Sequence, residues 1–461
     1  TNYLILLYGF CCFMVAALFA MIFLRYSSLH SNIADLGFFT SSLFTSTIQW
    51  QIAFYGHVQP FMLPLGYIYK LLPFGFGIYF LLYFQASLML LSVICIWKFY
   101  GSWAGLAMLL YYPFWVNALF DFHFDHLAIP LLTVFFIATH KGYYVAAMVA
   151  ALLLILVKEP FALQAAGCGL YLMWASKPTI MKGRSRYIPL ICGSIVVAIS
   201  LTSFYIIIKW VIPYFSGNSN AFALSSDAFE WMGRDFSEII TKFLFQPMDF
   251  LDVMFNNSQK WIYLIVIFGS LSFISLIRPT ALVVALPLLL IALLSKFPNY
   301  YSYANHYTAG LIVPTMVAFS EGLPIARAWT TNFLRTKLRL KSINLLTKIF
   351  PVFLLMVLLG SHWALSSSPI SRLFWSEKVW SYSWSAYFPT IRDEWIKKAL
   401  DELIPSNLEV IISSQNTLNY EILARRRVVL PFPMGVTSEF ELVNWSNRSL
   451  DGVIQVIRTG Y

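Results

Sequence analysis

Charge is what this chain has least of. Asp, Glu, Lys and Arg make up 11% of its 461 residues, against about 25% in an ordinary soluble domain. That shortage excludes a soluble globular fold of this length. Cysteine is scarce as well: Cys11, Cys12, Cys95, Cys168 and Cys192 all fall inside apolar runs. They read as small buried hydrophobes and give neither a disulfide nor a zinc framework. A Gly-rich phosphate loop is absent from residues 370–461, and no nucleotide-sugar fold is seen. The alternating segments of about ten residues that would build an outer-membrane barrel are absent from the chain.

What fills the space is apolar: 59% of the residues are hydrophobic. Runs at 3–24, 76–97, 188–208, 261–277 and 349–365 are of the length needed to cross a hydrocarbon core of roughly 30 Å. The chain is therefore a polytopic α-helical membrane protein. The first run is too long for a signal-peptide core and lacks a small-residue cleavage site, so it reads as a retained span. The chain does not begin with Met, and a few residues are expected ahead of Thr1.

The net charge of +10 is unevenly placed. Basic residues cluster at 176–187 and 327–348, with smaller marks at Lys98, Lys141 and Arg278. The positive-inside rule assigns these to the cytoplasmic side. Adding shorter runs near 103–119, 126–138, 143–157, 162–175, 280–295 and 306–322 gives about eleven spans, amino terminus inside. The basic clusters serve this topology, and no nucleic-acid partner is expected. Residues 1–366 form the transmembrane domain, whose first outer loop, 25–75, suits short interfacial helices. Residues 370–461 are mixed in character and fall outside. There "RDEWIKKALDELIP" predicts an amphipathic helix, "LEVIIS", "RRVVLPF" and "GVIQVIR" predict strands, and a second helix is expected near 418–424.

The unusual residues collect on the outer face. "DFHFDH" places Asp121, His123, Asp125 and His126 together, where a plain hairpin would use Gly, Ser or Asn. Asp121, His123 and Asp125 share one strand face or splay across a tight turn. Carboxylate and imidazole together can position a hydroxyl or bind a divalent cation, though no three ligands have diagnostic spacing. Asp35 precedes an apolar run, which fits a helix cap or a general base at the membrane surface. Lys158 and Glu159 sit in a short turn between apolar runs: either a functional pair or a snorkelling lysine beside a solvated carboxylate. His306 follows Tyr300, Tyr301 and Tyr303; an aromatic belt explains the tyrosines but not the histidine. His57 joins them from the first loop.

The stretches "ADLGFF", "GHVQPFMLPLGYIY", "LFDFHFDHLAIPLL", "LLLILVKEPFALQAAGCGLYL" and "NYYSYANHYTAGLIVP" resemble, in order and spacing, the membrane-protein family called domain of unknown function 2079. The tail "ELIPSNLEVIISSQNTLNYEILARRRVVLPFP" resembles its carboxyl-terminal segment, without the histidine often found before the arginine there. That family looks like a branch of the GT-C glycosyltransferases. The resemblance implies a sugar taken from a polyprenyl-phosphate donor and passed to a glycan, lipid or protein acceptor, at the extracytoplasmic face of the cytoplasmic membrane. Asp35 then matches the acidic residue after the first span and Asp121 the second-loop acid, with Glu159 a further catalytic candidate. His57, His123, Asp125, Lys158, His306 and Tyr301 become substrate-binding candidates. No cofactor is implied, and a divalent cation stays open. A transporter or lipid-linked-sugar flippase is the rival class; it would place ionisable groups near the bilayer midplane in repeated halves. A structural assembly factor with a degenerate site is the third.

Overall fold

The computed structural model describes residues 2–29, 31, 33–73, 76–175, 187–217, 228–337, 343–376, 383–403 and four strands within 411–458. Helix α1 (Asn2–Ser27) is followed by a π-helical turn, Ile33–Gly37, that runs straight into α2 (Phe38–Ser46). After a 3₁₀ turn comes α3 (Met62–Leu71), which buries Met62, Leu65 and Tyr69 and exposes Tyr67, Ile68 and Leu71. These short helices occupy the loop expected to lie in the interface.

Helix α4 (Gly77–Tyr100) is uninterrupted. The run at 103–119, by contrast, divides into α5 (Ser102–Leu110) and α6 (Tyr112–Leu119), because Pro113 sits in the first turn of α6 and cannot continue the preceding ladder. The carbonyls this frees are taken by side chains. Leu109 O accepts from Trp115 Nε1 at 2.8 Å, and Leu110 O meets His362 Nδ1 at 2.7 Å. Such partners are what a membrane interior demands of broken helices.

Helix α7 (Ala128–Lys141) stops at Gly142, whose φ of +75° suits a left-handed cap. Helix α8 (Tyr144–Leu153) leads through a 3₁₀ turn to α9 (Glu159–Ala175). Then α10 (Tyr187–Ile206) runs on through a π-turn into α11 (Ile212–Ser216). Two short helices follow, α12 (Phe236–Phe245) and α13 (Pro247–Phe255), which expose Ile240, Phe243, Leu244, Phe245 and Met248. Helix α14 (Ser258–Gly269) ends early, since Ser272 and Phe273 take positive φ, so the 261–277 run is not one helix. The bundle closes with α15 (Leu282–Leu294), α16 (Ala309–Thr336) and α17 (Ile343–Leu365). Five helical stretches among the described residues are long and apolar enough to cross a membrane: 5–27, 77–100, 187–216, 306–336 and 348–365. The 306–336 stretch is the most enclosed, at 72% buried. It continues past the expected end near 322, and the exposed Arg327 and Arg335 of that extension line a groove with Trp103, Phe350 and Pro351.

Helices α9 and α10 meet backbone to backbone. A Cβ on Gly169 would lie 2.7 Å from Gly193 O, and one on Gly193 would lie 2.6 Å from Gly169 O. Small residues permit this approach, on which dispersion packing between membrane helices depends. Gly193→Leu should force the pair apart and destabilise the protein by about 1–3 kcal/mol or more. Thermal unfolding of detergent-purified variants checks this, and an unchanged midpoint would mean the helices are not held by close contact.

Residues 383–403 return to the end of α1: Ser28 Oγ donates to Ala386 O at 2.7 Å, and Lys397 Nζ bonds Ser27 O. Helix α18 (Ile391–Leu403) opens with Thr390 and Asp393 capping one another. Strands β1 (Ile411–Ser414), β2 (Val428–Pro431), β3 (Phe440–Asn444) and β4 (Ile454–Arg458) form one sheet in the order β2-β1-β3-β4. The β1 pairings are parallel and β3–β4 is antiparallel. Strand β3 had no counterpart in the sequence reading. Strand β2 lies beside the Ile33–Gly37 turn and α2. The expected helix near 418–424 and nearly all of the basic 176–187 cluster lie outside the described residues.

Candidate active site

The site is built on a loop that helix packing holds rigid. After α6 the chain runs without regular structure through Asp121–His123, is extended at Phe120 and His123, and then makes a 3₁₀ turn, Phe124–Leu127, into α7. Gln85 of α4 clamps it: Nε2 donates to the carbonyls of Asn117 and Phe120, both at 3.2 Å, and Oε1 accepts from the His123 N–H at 3.2 Å. Asn117 donates to Pro113 O at 2.7 Å and to Thr308 Oγ1 at 2.8 Å, and its Oδ1 meets His126 Nε2 at 3.1 Å. A lone glutamine and a lone asparagine in apolar helices are the positions where satisfied polar groups fix a unique arrangement.

Asp125 is the hub. His123 Nδ1 approaches its Oδ1 to 3.0 Å, Lys158 Nζ lies 3.7 Å from the same oxygen, and His306 Nε2 lies 3.7 Å from Oδ2. The His123 and His306 rings stack with centroids 3.9 Å apart. Next to them Glu159 takes His57 Nδ1 at 2.7 Å and the Val58 N–H at 3.2 Å. Lys158 and Glu159 are only 6% and 7% exposed, so neither snorkels nor is solvated. Burial opposes the charge on Asp125, but His123 and Lys158 outweigh it and hold the carboxyl well below its usual range. For Lys158 burial again opposes charge, and Asp125 with Glu159 reverses the sign and raises the ammonium's pKa. The two groups are thus an ion pair, removed from water. Burial pushes His123 below the ordinary imidazole value.

The remaining candidates divide. Asp121 turns to Arg25, 3.6 Å away, whose guanidinium also bonds Leu119 O. The "DFHFDH" stretch therefore splays its acids to two partners. Asp35 is half-buried within the π-helical turn rather than capping α2, where Gly37 holds the cap position without a side-chain bond. It is close enough for its charge to act on the Tyr307 phenol. Tyr301 faces elsewhere: its hydroxyl accepts from Asn257 at 3.3 Å and its ring lies 5.0 Å from Lys260 Nζ. Tyr300 and Tyr307 stand at the site instead, stacked 4.5 Å apart. A cavity of about 50 Å³ opens here, with His57, Asp125, Lys158, Glu159 and the two tyrosines as its polar wall and Leu288, Ile291 and Ala292 of α15 as its apolar wall. Sequence reasoning missed Gln85, Asn117, Arg25, Tyr300 and Tyr307 as site-forming residues; only Gln85 and Asn117, as polar residues in apolar runs, gave a signal.

The family described as "Predicted membrane protein (DUF2079)" matches residues 25–451. The sequence matches no curated protein. Among the solved structures that match is one described as ArnT from Cupriavidus metallidurans bound to undecaprenyl phosphate. It shares 14% identity at a TM-score of 0.43, covering 92% of this chain and 86% of that chain.

Proposed function

The chain belongs to the DUF2079 family of membrane proteins, and from that premise and the site's geometry we propose that it is a membrane glycosyltransferase taking its sugar from a polyprenyl-phosphate donor. One observation carries the proposal. A buried ammonium, two carboxylates and the His57 imidazole line a cavity whose opposite wall is the apolar helix α15, with the His123 and His306 imidazoles held against Asp125. A lipid-linked phosphate has that duality: an anionic head and a hydrocarbon tail.

In this reading Lys158 exchanges part of its pairing with Asp125 for the donor phosphate, stabilising charge as the phosphate departs. Asp35, on the first outer loop, removes the acceptor hydroxyl's proton as the oxygen attacks the anomeric carbon. Glu159 fixes His57 at the mouth, and Asp121 with Arg25 anchors the loop instead of reaching substrate. A cavity of about 50 Å³ holds one or two waters, at about 30 Å³ each, so its walls must part to admit a sugar. The acceptor is a glycan, lipid or protein.

The proposed topology has about eleven spans with the amino terminus cytoplasmic, on the positive-inside rule. The shorter helices α7, α8, α9, α14 and α15 then cross with local thinning. The site, residues 370–461 and the end of α1 share the extracytoplasmic face of the cytoplasmic membrane. Single cysteines in a cysteine-free background test it. One at Ser414 should label from outside and one at Ser185 should not; the reverse pattern removes the site from that face. Activity is tested by giving proteoliposomes synthetic polyprenyl-phosphate hexoses and measuring free polyprenyl phosphate by mass spectrometry. Release above protein-free vesicles supports the proposal. No release, with donor moved between leaflets, makes the protein a flippase.

A further inference from the structure

We infer that His123, Asp125 and His306 form a binding site for one divalent transition-metal ion of the zinc or manganese class. The inference goes beyond sugar transfer and does not depend on it. One nitrogen from each imidazole and one carboxylate oxygen lie within 4.8 Å of one another, and all three residues are buried. His123 Nδ1 lies 3.0 Å from Asp125 Oδ1 and His306 Nε2 lies 3.7 Å from Asp125 Oδ2, so each imidazole is near one carboxylate oxygen at a separation close to about 3.3 Å, the ligand–ligand edge for bonds of roughly 2.0–2.1 Å.

The second observation is what these atoms lack. His306 is 5% exposed, yet neither of its ring nitrogens has a hydrogen-bond partner. Asp125 Oδ1 has none either, although His123 Nδ1 stands 3.0 Å away. That nitrogen accepts from the Asp125 N–H at 3.4 Å, so it carries a lone pair and not a proton beside the carboxylate. A buried acceptor pair with nothing between them is costly, and a cation between them removes the cost. Imidazole nitrogens with a single carboxylate suit zinc, manganese or iron(II) better than calcium or magnesium, which favour all-oxygen sets. The neighbouring charges tolerate the ion: Lys158 adds one positive charge, while Asp125 and Glu159 supply two negative ones.

The test uses the full chain in detergent. Chelator-stripped wild-type protein is titrated with cobalt(II), and the visible absorption of tetrahedral or five-coordinate cobalt is followed. Saturation near about one equivalent is expected, as is stabilisation against heat by added zinc. His306→Gln and Asp125→Asn should each weaken cobalt binding by about 10-fold or more. His140→Gln, exposed on the far side, should leave it unchanged. Should either site variant fail to fold, X-ray absorption of zinc-loaded wild type counts the imidazole ligands directly, with two expected. Absence of saturable cobalt absorption overturns the site. So does binding that His306→Gln leaves intact, or a zinc spectrum without imidazole.

Discussion

Asp35→Asn is expected to lower sugar transfer by about 10²–10⁴-fold, the usual contribution of a general base, while donor binding and the fold persist. Asp and Asn are near-equal helix caps, so a capping role would let the variant keep its activity. The geometry already speaks against a cap, because Asp35 lies inside the π-helical turn and α2 starts from Gly37 without a side-chain bond. The measurement is turnover with saturating donor beside an independent donor-binding assay. Transfer within a few-fold of wild type would remove Asp35 from the mechanism and leave the site without an assigned base.

Lys158→Met carries the largest expected effect on stability. Glu159 is engaged by His57 and the Val58 N–H, so the charge partner nearest the Lys158 ammonium is Asp125, 3.7 Å away. Both side chains are at most 8% exposed. Removing one member of a buried pair leaves the other charge uncompensated, which costs about 3–5 kcal/mol. Chelator-treated Lys158→Met should melt well below wild type, and Lys158→Met/Asp125→Asn should recover much of the loss. If the melting temperature holds while affinity for polyprenyl phosphate falls, the lysine serves the phosphate alone and the ion pair contributes little.

The sequence by itself determined the solvent and the long helices. Apolar runs of sufficient length and a shortage of charge leave no other fold class, because hydrophobicity and helix length are local properties. It also marked Lys158 and Glu159, since two adjacent charges between apolar runs stand out without any knowledge of packing. It was less informative where local signals are ambiguous. Pro113 inside the 103–119 run and the positive-φ pair Ser272–Phe273 break helices that hydropathy alone draws as continuous.

Only the tertiary structure decided which marked residues meet. His306 stands far along the chain from His123 and Asp125, and nothing in its neighbours says which loop it will face. That follows from the packing of α16 against α4 and α7 and from the Asn117–Thr308 bond at 2.8 Å. Likewise Asp121 and Asp125 look equivalent in "DFHFDH", yet one pairs with Arg25 and the other with Lys158 and two imidazoles. The physical reason is that charged groups in a low-dielectric interior persist only beside their partners. The partners come from other helices, so their identity is a property of the bundle and not of the stretch.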